Sequence, residues 1–462
     1  MKKKSWLPIT VIGATILLVA GCGSPSEETS APEPVTPESD AAAAPESAAA
    51  PTPAAAPTPA PVQTAAATST ITIEPGPDVQ EILQEALIEA EPGTTIQLEE
   101  GTYDFILGLS LDVDNVTLRG RGMDKTILDF KNQEAGSEGV FVTSDDVLLE
   151  DFAIVDTKGN AMKSHGTNNI VIRRVRTEWT GGPKATNGAY GLYPVSGQNT
   201  LIDGCVAIGA SDAGIYVGQT KHTIIRNCRV EFNVAGIEIE NCHFAEAYGN
   251  IATNNTGGLL VFDLPDLPQQ RGHDIRVYDN KIFGNNTKNF APAGNIVAGV
   301  AAGSGIQIMA NSNVEVFNND IRDNDTFGVV VASYYASGND IKDPNYYPYA
   351  EGVHIHHNTF GPSGTAPKGQ IGKLVGIILG GTIPDIVWDG IYNPEKMKDG
   401  KLAEEARIVM HDNVKENGEI TFADLRGATT LADPTEAKVN RDITAFTGEL
   451  PPVKPIVLED TD

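Results

Sequence analysis

The sequence predicts an all-β solenoid: a single-stranded parallel β-helix, coiled right-handed, with a capping helix at its N-terminal end. Three observations carry this. Thr200-Leu201-Ile202-Asp203-Gly204-Cys205 recurs as Thr223-Ile224-Ile225-Arg226-Asn227-Cys228 and, more loosely, as Ala245-Glu246-Ala247-Tyr248-Gly249-Asn250. Each copy is followed by a glycine and an alternating apolar strand: Gly214-Ile215-Tyr216-Val217, Gly236-Ile237-Glu238-Ile239 and Gly258-Leu259-Leu260-Val261. The copies stand 23 and 22 residues apart, the length of one solenoid coil. One coil cannot bury its own apolar face, so the coils must stack. Parallel crossovers are overwhelmingly right-handed, which sets the hand.

The repeat fixes a register in both directions. The corner held by Cys205, Cys228 and Asn250 is Phe152 and Val175 upstream, and Asn280, Asn319, Asn358 and Asn413 downstream. Stacked coils place such positions about 4.8 Å apart. At that spacing amides can hydrogen-bond up a ladder. The corner is therefore an inward position.

Residues 1–22 read as a targeting segment. Lys2-Lys3-Lys4 precede an apolar run from Trp6 to Ala20 that is too short for a span. Val19-Ala20-Gly21-Cys22 resembles a bacterial lipobox, which implies cleavage before Cys22 and lipidation of its thiol. The membrane is then met through a lipid anchor only. Gly23, rather than an aspartate, points by the usual lipoprotein sorting pattern to the outer membrane of a bacterial envelope. Residues 23–68 are rich in Ala, Pro, Ser and Thr without an apolar period, and read as a disordered tether.

The β-helix is expected over residues 69–431. After Thr70-Ile71-Thr72-Ile73, Asp78 and Glu81 resemble a capping box, and Val79, Ile82, Leu83, Ala86, Leu87 and Ala90 form a helical stripe. Pro92-Gly93 ends it, and the helix would cover the open apolar end of the stack. Residues 432–462 hold Pro434, Pro451, Pro452 and Pro455 with few apolar anchors. They read as an extended tail, lying along the solenoid or loose.

The run from Ile82 through Pro92-Gly93-Thr94, Gly101-Thr102-Tyr103 and Val116-Thr117-Leu118-Arg119-Gly120 resembles the capped start of pectin-lyase-like right-handed β-helix proteins. Val261-Phe262-Asp263-Leu264-Pro265-Asp266-Leu267-Pro268-Gln269, with the lipobox, is similar to parallel β-helix repeat lipoproteins. The broader resemblance covers about residues 70–430 and implies the fold. That fold hosts lyases, epimerases, hydrolases and plain binders, so it does not name a reaction.

With 33 basic against 61 acidic residues the formal charge is −28, which argues against a nucleic-acid partner. It also repels polyuronate at long range, so an acidic sugar would need a local basic patch. Cys205 and Cys228 sit at equivalent corners, where buried free thiols are favoured over a disulfide. Cys242 has no equivalent partner.

The strand after each glycine exposes alternate residues. One outward column runs Lys163, Tyr193, Tyr216, Glu238, Leu260, Gln307, Val330, Ile378; a second runs His165, Val195, Gly218, Glu240, Phe262, Met309, Ala332, Gly380. Insertions on both sides of this strand would wall a groove for a polysaccharide or other extended ligand. The polar end offers candidate catalytic residues Lys163, His165, Tyr193, Tyr216, Glu238 and Glu240. In a uronate lyase or epimerase Lys163 would neutralise the carboxylate, while Tyr216, Tyr193 or His165 moves the proton. In a glycosidase Glu238 and Glu240, i and i+2 on one face and about 7 Å apart, fall in the inverting range. The same pair could instead bind Ca²⁺ with Asp263 or Asp212. An ordinary solvated strand face accounts for the pattern equally well.

Phe262, Asp263, Arg271, Tyr334 and Tyr335 are candidate substrate-binding residues on the groove walls. His354, His356 and His357 lack a Cys or acidic partner at metal spacing, so they read as surface histidines and no metal site is expected. Two function classes remain: a carbohydrate-active envelope enzyme, or a non-catalytic binding or scaffold lipoprotein.

Overall fold

The computed structural model describes residues 69–428, 433 and 436–458. Cys22 and the tether over 23–68 lie outside the described residues. Three short strands per coil build three walls. In one coil they are Gln198–Asp203 in wall 1, Val206–Ile208 in wall 2 and Ala213–Gly218 in wall 3. Every strand pair between coils is parallel, and wall 3 is an 11-stranded sheet from Leu107–Leu111 to Phe422–Asp424. Ile215, Ile237, Leu259, Ile306 and Val329 stack inward along wall 3, all essentially without solvent exposure. Among the described residues no helix is long and apolar enough to cross a membrane.

Two polar ladders run inside this apolar core. At the wall 1–wall 2 corner Asn250, Asn280, Asn319, Asn358 and Asn413 are in register. Each Nδ2 donates to the next Oδ1 at 2.9–3.0 Å, and each main-chain N donates to that same oxygen. Every buried amide is thereby paired on both sides, as a dry interior requires. The residue before each rung turns the corner in the left-handed region, as Asp279 (φ 54°), Asn318 (φ 56°) and His357 (φ 54°) do. That conformation suits Gly, Asn and Asp, which explains the Gly-Asn, Asp-Asn and Asn-Asn pairs of the sequence. Upstream the position is filled by buried Cys228, Cys205, Val175 and Phe152, and Cys205, Cys228 and Cys242 are free thiols. A second ladder of Asn233, Asn255, Asn285 and Asn324 at the next corner was not foreseen, although it has the same spacing signal.

Helix α1 (Val79–Glu89) buries Val79, Leu83, Ala86 and Leu87 in the main core. Asp78 precedes it but makes no side-chain capping hydrogen bond, so the expected capping box is not formed.

One part of the expected register is wrong. Val330 pairs with Val387, not with Ile378, because Gly369–Leu379 forms a second helix, α2, and the strand of this coil is Ile386–Trp388. The apolar run Leu374–Leu379 fits a strand by composition. Val375 and Leu379 instead pack on Phe327, Ile383 and Leu425. Gly380, expected on the second column, is the left-handed residue that stops α2 (φ 82°).

The C-terminal segment doubles back. Phe446 packs on Phe422 and Trp388, with ring centroids 4.6 and 5.6 Å apart. Further on, the Ile456 amide donates to Glu246 at 2.7 Å, and Ile456 and Leu458 lie on Val171, Leu201 and Ile224 of wall 1. Residues 447–458 are therefore a strap along wall 1.

Candidate functional site

Wall 3 presents the two expected columns in the expected register as far as Val330 and Ala332. Tyr193 pairs with Lys163, Tyr216 with Glu238, Glu238 with Leu260, and Gly218 with Glu240. Phe141 extends the first column below Lys163. The polar end divides into two parts with different physics.

The first part is open. Lys163 Nζ lies 5.2 Å from the centre of the Tyr193 ring and 5.8 Å from that of Phe141, and 4.0 Å from Glu138 Oε1. Tyr190, not foreseen as a site residue, packs tilted against Tyr193 and Tyr216, with ring centroids 4.4 and 4.6 Å apart. Phe141, Lys163, Tyr190 and Tyr193 are all half-buried, so they form an accessible aromatic surface with one cation. Tyr190 escaped notice because it lies three residues before Tyr193, outside the strict alternation. His165 is exposed at the edge of this face.

The second part is closed. Glu238 is 1 % exposed and Glu240 6 %, so neither lies on a solvated strand face. The Tyr216 hydroxyl donates to Glu240 Oε1 at 2.5 Å, and Gln219 Nε2 reaches Tyr216 Oη at 3.3 Å. From the following insertion Asn295 Nδ2 donates to Asp212 Oδ2 at 3.0 Å. Neither oxygen of Glu238 has a hydrogen-bond partner.

The electrostatics follow from that burial. Burial, then the neighbouring Asp212 and Glu240 carboxyls, hold Glu238 well above the ordinary carboxylate range. Burial pushes Asp212 up to about 7 against hydrogen bonds from Asn295 and Tyr190. It pushes Glu240 to about 7 against its bond from Tyr216. Tyr190 and Tyr216 are raised by burial and then by nearby carboxylates, so both are neutral phenols at pH 7. Removing the Tyr216 hydroxyl should therefore raise Glu240 further. In Tyr216→Phe its titration, followed by carboxyl-selective NMR, moves above about 7; an unchanged or lower value contradicts the coupling.

Among the described residues neither Asp212 nor Asp263 forms with Glu238 and Glu240 a set of oxygens all within 4.8 Å of one another. A single Ca²⁺ needs such convergence, so this arrangement does not fit the cation considered from the sequence.

The remaining candidates build walls. Phe262 is buried, and Asp263 accepts from the Gly272 amide at 2.7 Å and from the Tyr346 hydroxyl through its carbonyl. Arg271 lies 4.4 Å from the centre of the Tyr347 ring. Tyr334 is buried against Tyr346 at 5.2 Å, whereas Tyr335 is 42 % exposed. Beyond Phe262 the same wall floors an apolar cavity of about 360 Å³ lined by Met309, Phe327, Val330, Ile371 and Val375, with the buried Asp389 among its lining. The structure thus joins Lys163, Tyr193, Tyr216 and Glu240 into one continuous cluster. Tyr334 lies in the same apolar cluster as Tyr216 and Phe262, whereas His165 and Tyr335 are exposed.

Residues 116–266 match the family described as "Right handed beta helix region". No curated protein sequence matches the chain. The A-module of mannuronan C-5 epimerase AlgE4 from Azotobacter vinelandii is similar with a TM-score of 0.51 at 17 % identity, over 73 % of this chain and 90 % of that one. An alginate lyase from Paenibacillus sp. is similar over 77 % of this chain and 98 % of that one, at 14 % identity and a TM-score of 0.39. The chain has the right-handed parallel β-helix fold, as the sequence led one to expect.

Proposed function

We propose that this is a carbohydrate-binding β-helix protein, tethered to the bacterial envelope through a lipid on Cys22. It receives the end of an extended glycan on the Phe141–Lys163–Tyr193–Tyr190 surface. The observation that carries the reading is that surface itself: Tyr190 tilted against Tyr193, with the Lys163 cation near the Tyr193 and Phe141 rings, half-buried on one side and closed on the other. Aromatic faces with polar tips suit sugar rings. The insertions over Tyr216, Glu238 and Glu240 close the far side, so a chain end fits better than a chain running through. The nearby acidic groups, with Lys163 already facing Glu138, favour a neutral glycan over a polyuronate.

One observation favours a second reading, in which the bound glycan is also modified. Asp212 and Glu240 titrate at about 7, where a general acid or base works best. Reaching them requires the insertion that carries Asn295 to open. A panel of neutral and uronate oligosaccharides, read by calorimetry and by product analysis, tests both. Tyr193→Ala and Lys163→Ala should each weaken binding about tenfold. Wild-type affinity in both variants contradicts the binding surface. Products that disappear in Glu240→Gln support the catalytic reading, and absence of products leaves binding as the function.

A further inference from the structure

Wall 1 carries a second cluster, on a face of the helix that the glycan reading does not use. Its outward column Tyr248, Tyr278, Phe317, His356 and His411 is a continuous stack, with centroid spacings of 4.7, 4.8, 5.2 and 5.0 Å and planes within 14° of parallel. In the neighbouring column His354 stands between Glu315 and Val409. His354, His356 and His411 each offer a ring nitrogen within 4.8 Å of the others. The sequence hid this set, because His411 arrives only after a 55-residue excursion from the coil below.

Two of the three rings have ordinary structural employment. His356 and His411 extend the aromatic stack, and His356 Nε2 lies 3.2 Å from Glu315 Oε1. His354 does not. It is 6 % exposed, and both of its ring nitrogens lack a hydrogen-bond partner. Buried polar atoms are almost always paired, so two orphans on one ring need a reason.

We infer that His354, His356 and His411 form a binding site for a divalent transition-metal ion of the zinc, nickel or copper type. Imidazole nitrogens are the preferred ligands of these ions. A tetrahedral site at about 2.05 Å per bond needs ligand atoms about 3.3 Å apart; to bind, the His356 and His411 rings, now 5° from parallel with centroids 5.0 Å apart, tilt toward the ion, and His356 Nδ1 leaves His357 Nδ1, now 2.8 Å away. Glu315, held also by Arg276 at 3.6 Å, is placed to orient His356 from behind, as carboxylates commonly do for metal-bound histidines. The ion would tie together the adjacent strands Glu351–His356 and Ile408–His411, which a 55-residue excursion separates in sequence. Its role is that of a staple in the C-terminal coils.

The test uses the full chain, stripped with a chelator and titrated with Zn²⁺, and with Co²⁺ as a visible probe. One ion per chain, a histidine-type Co²⁺ spectrum and a higher melting temperature with Zn²⁺ are expected. His354→Ala should lower affinity at least about 100-fold. His411→Phe keeps a ring in the stack, where Phe317 already serves, and removes only the nitrogens. It should fold and lose the ion as well. His222→Ala, on a ring stacked with Phe244 elsewhere, should bind as wild type. No binding below about 100 µM, or unchanged binding in a folded His411→Phe, overturns the site.

Discussion

Asn319→Val should destabilise the protein by about 3–5 kcal/mol. Asn319 Oδ1 accepts from the main-chain N of Asn280 at 3.1 Å and from its Nδ2 at 2.9 Å. Its Nδ2 donates to the Val277 carbonyl and to Asn358 Oδ1, both at 2.9 Å. A valine fills the space, as Val175 does upstream, but it strands two donors and weakens two acceptors in a buried site. Each orphan costs about 1–3 kcal/mol. Asn413, the half-buried last rung, should cost less when replaced, since only one neighbour depends on it. Equilibrium unfolding in urea distinguishes the two. A cost for Asn319→Val below about 1 kcal/mol would mean that the ladder is incidental to stability.

Glu238→Leu should have the opposite sign, stabilising the protein by about 2 kcal/mol at pH 8. The residue after it in the column is Leu260, so an apolar side chain continues an existing stack. The native carboxyl is held above its unfolded value of about 4.3, so the native state binds this proton more tightly than the unfolded one. Stability is therefore fullest below about pH 4.3 and declines as pH rises towards the native value. Asp212 and Glu240 add the same slope between about pH 4 and about 7. The variant should gain most at pH 8 and least at pH 4, with a flatter profile between. Denaturation at the two pH values reads this directly, and a loss at both would show that Glu238 has a stabilising partner. Because Glu238 is enclosed, a substitution there changes stability by more than the roughly 0.5 kcal/mol typical of exposed sites.

These two residues show what could be read in the chain. Position along a coil is encoded locally by a 22-residue period, so the inward Asn319 corner and the outward Tyr216–Glu238–Leu260 column were both legible. Whether an outward residue meets water is decided by insertions, whose paths no periodicity describes. Glu238 therefore looked solvated and is sealed. The same insertions misled the register once, where Leu374–Leu379 satisfies helix and strand patterns alike and tertiary packing selects the helix. Tyr190 was missed because it breaks the alternation, and the His354–His411 approach because a long excursion intervenes.

Hydrogen exchange with and without a bound oligosaccharide tests the central claim most directly. The account predicts slowed exchange over residues 138–142, 160–165 and 188–195, with weaker protection of the insertion around Asn295, and no change on wall 1. Protection confined to wall 1 or wall 2, or none at a saturating concentration of every glycan in the panel, would contradict it.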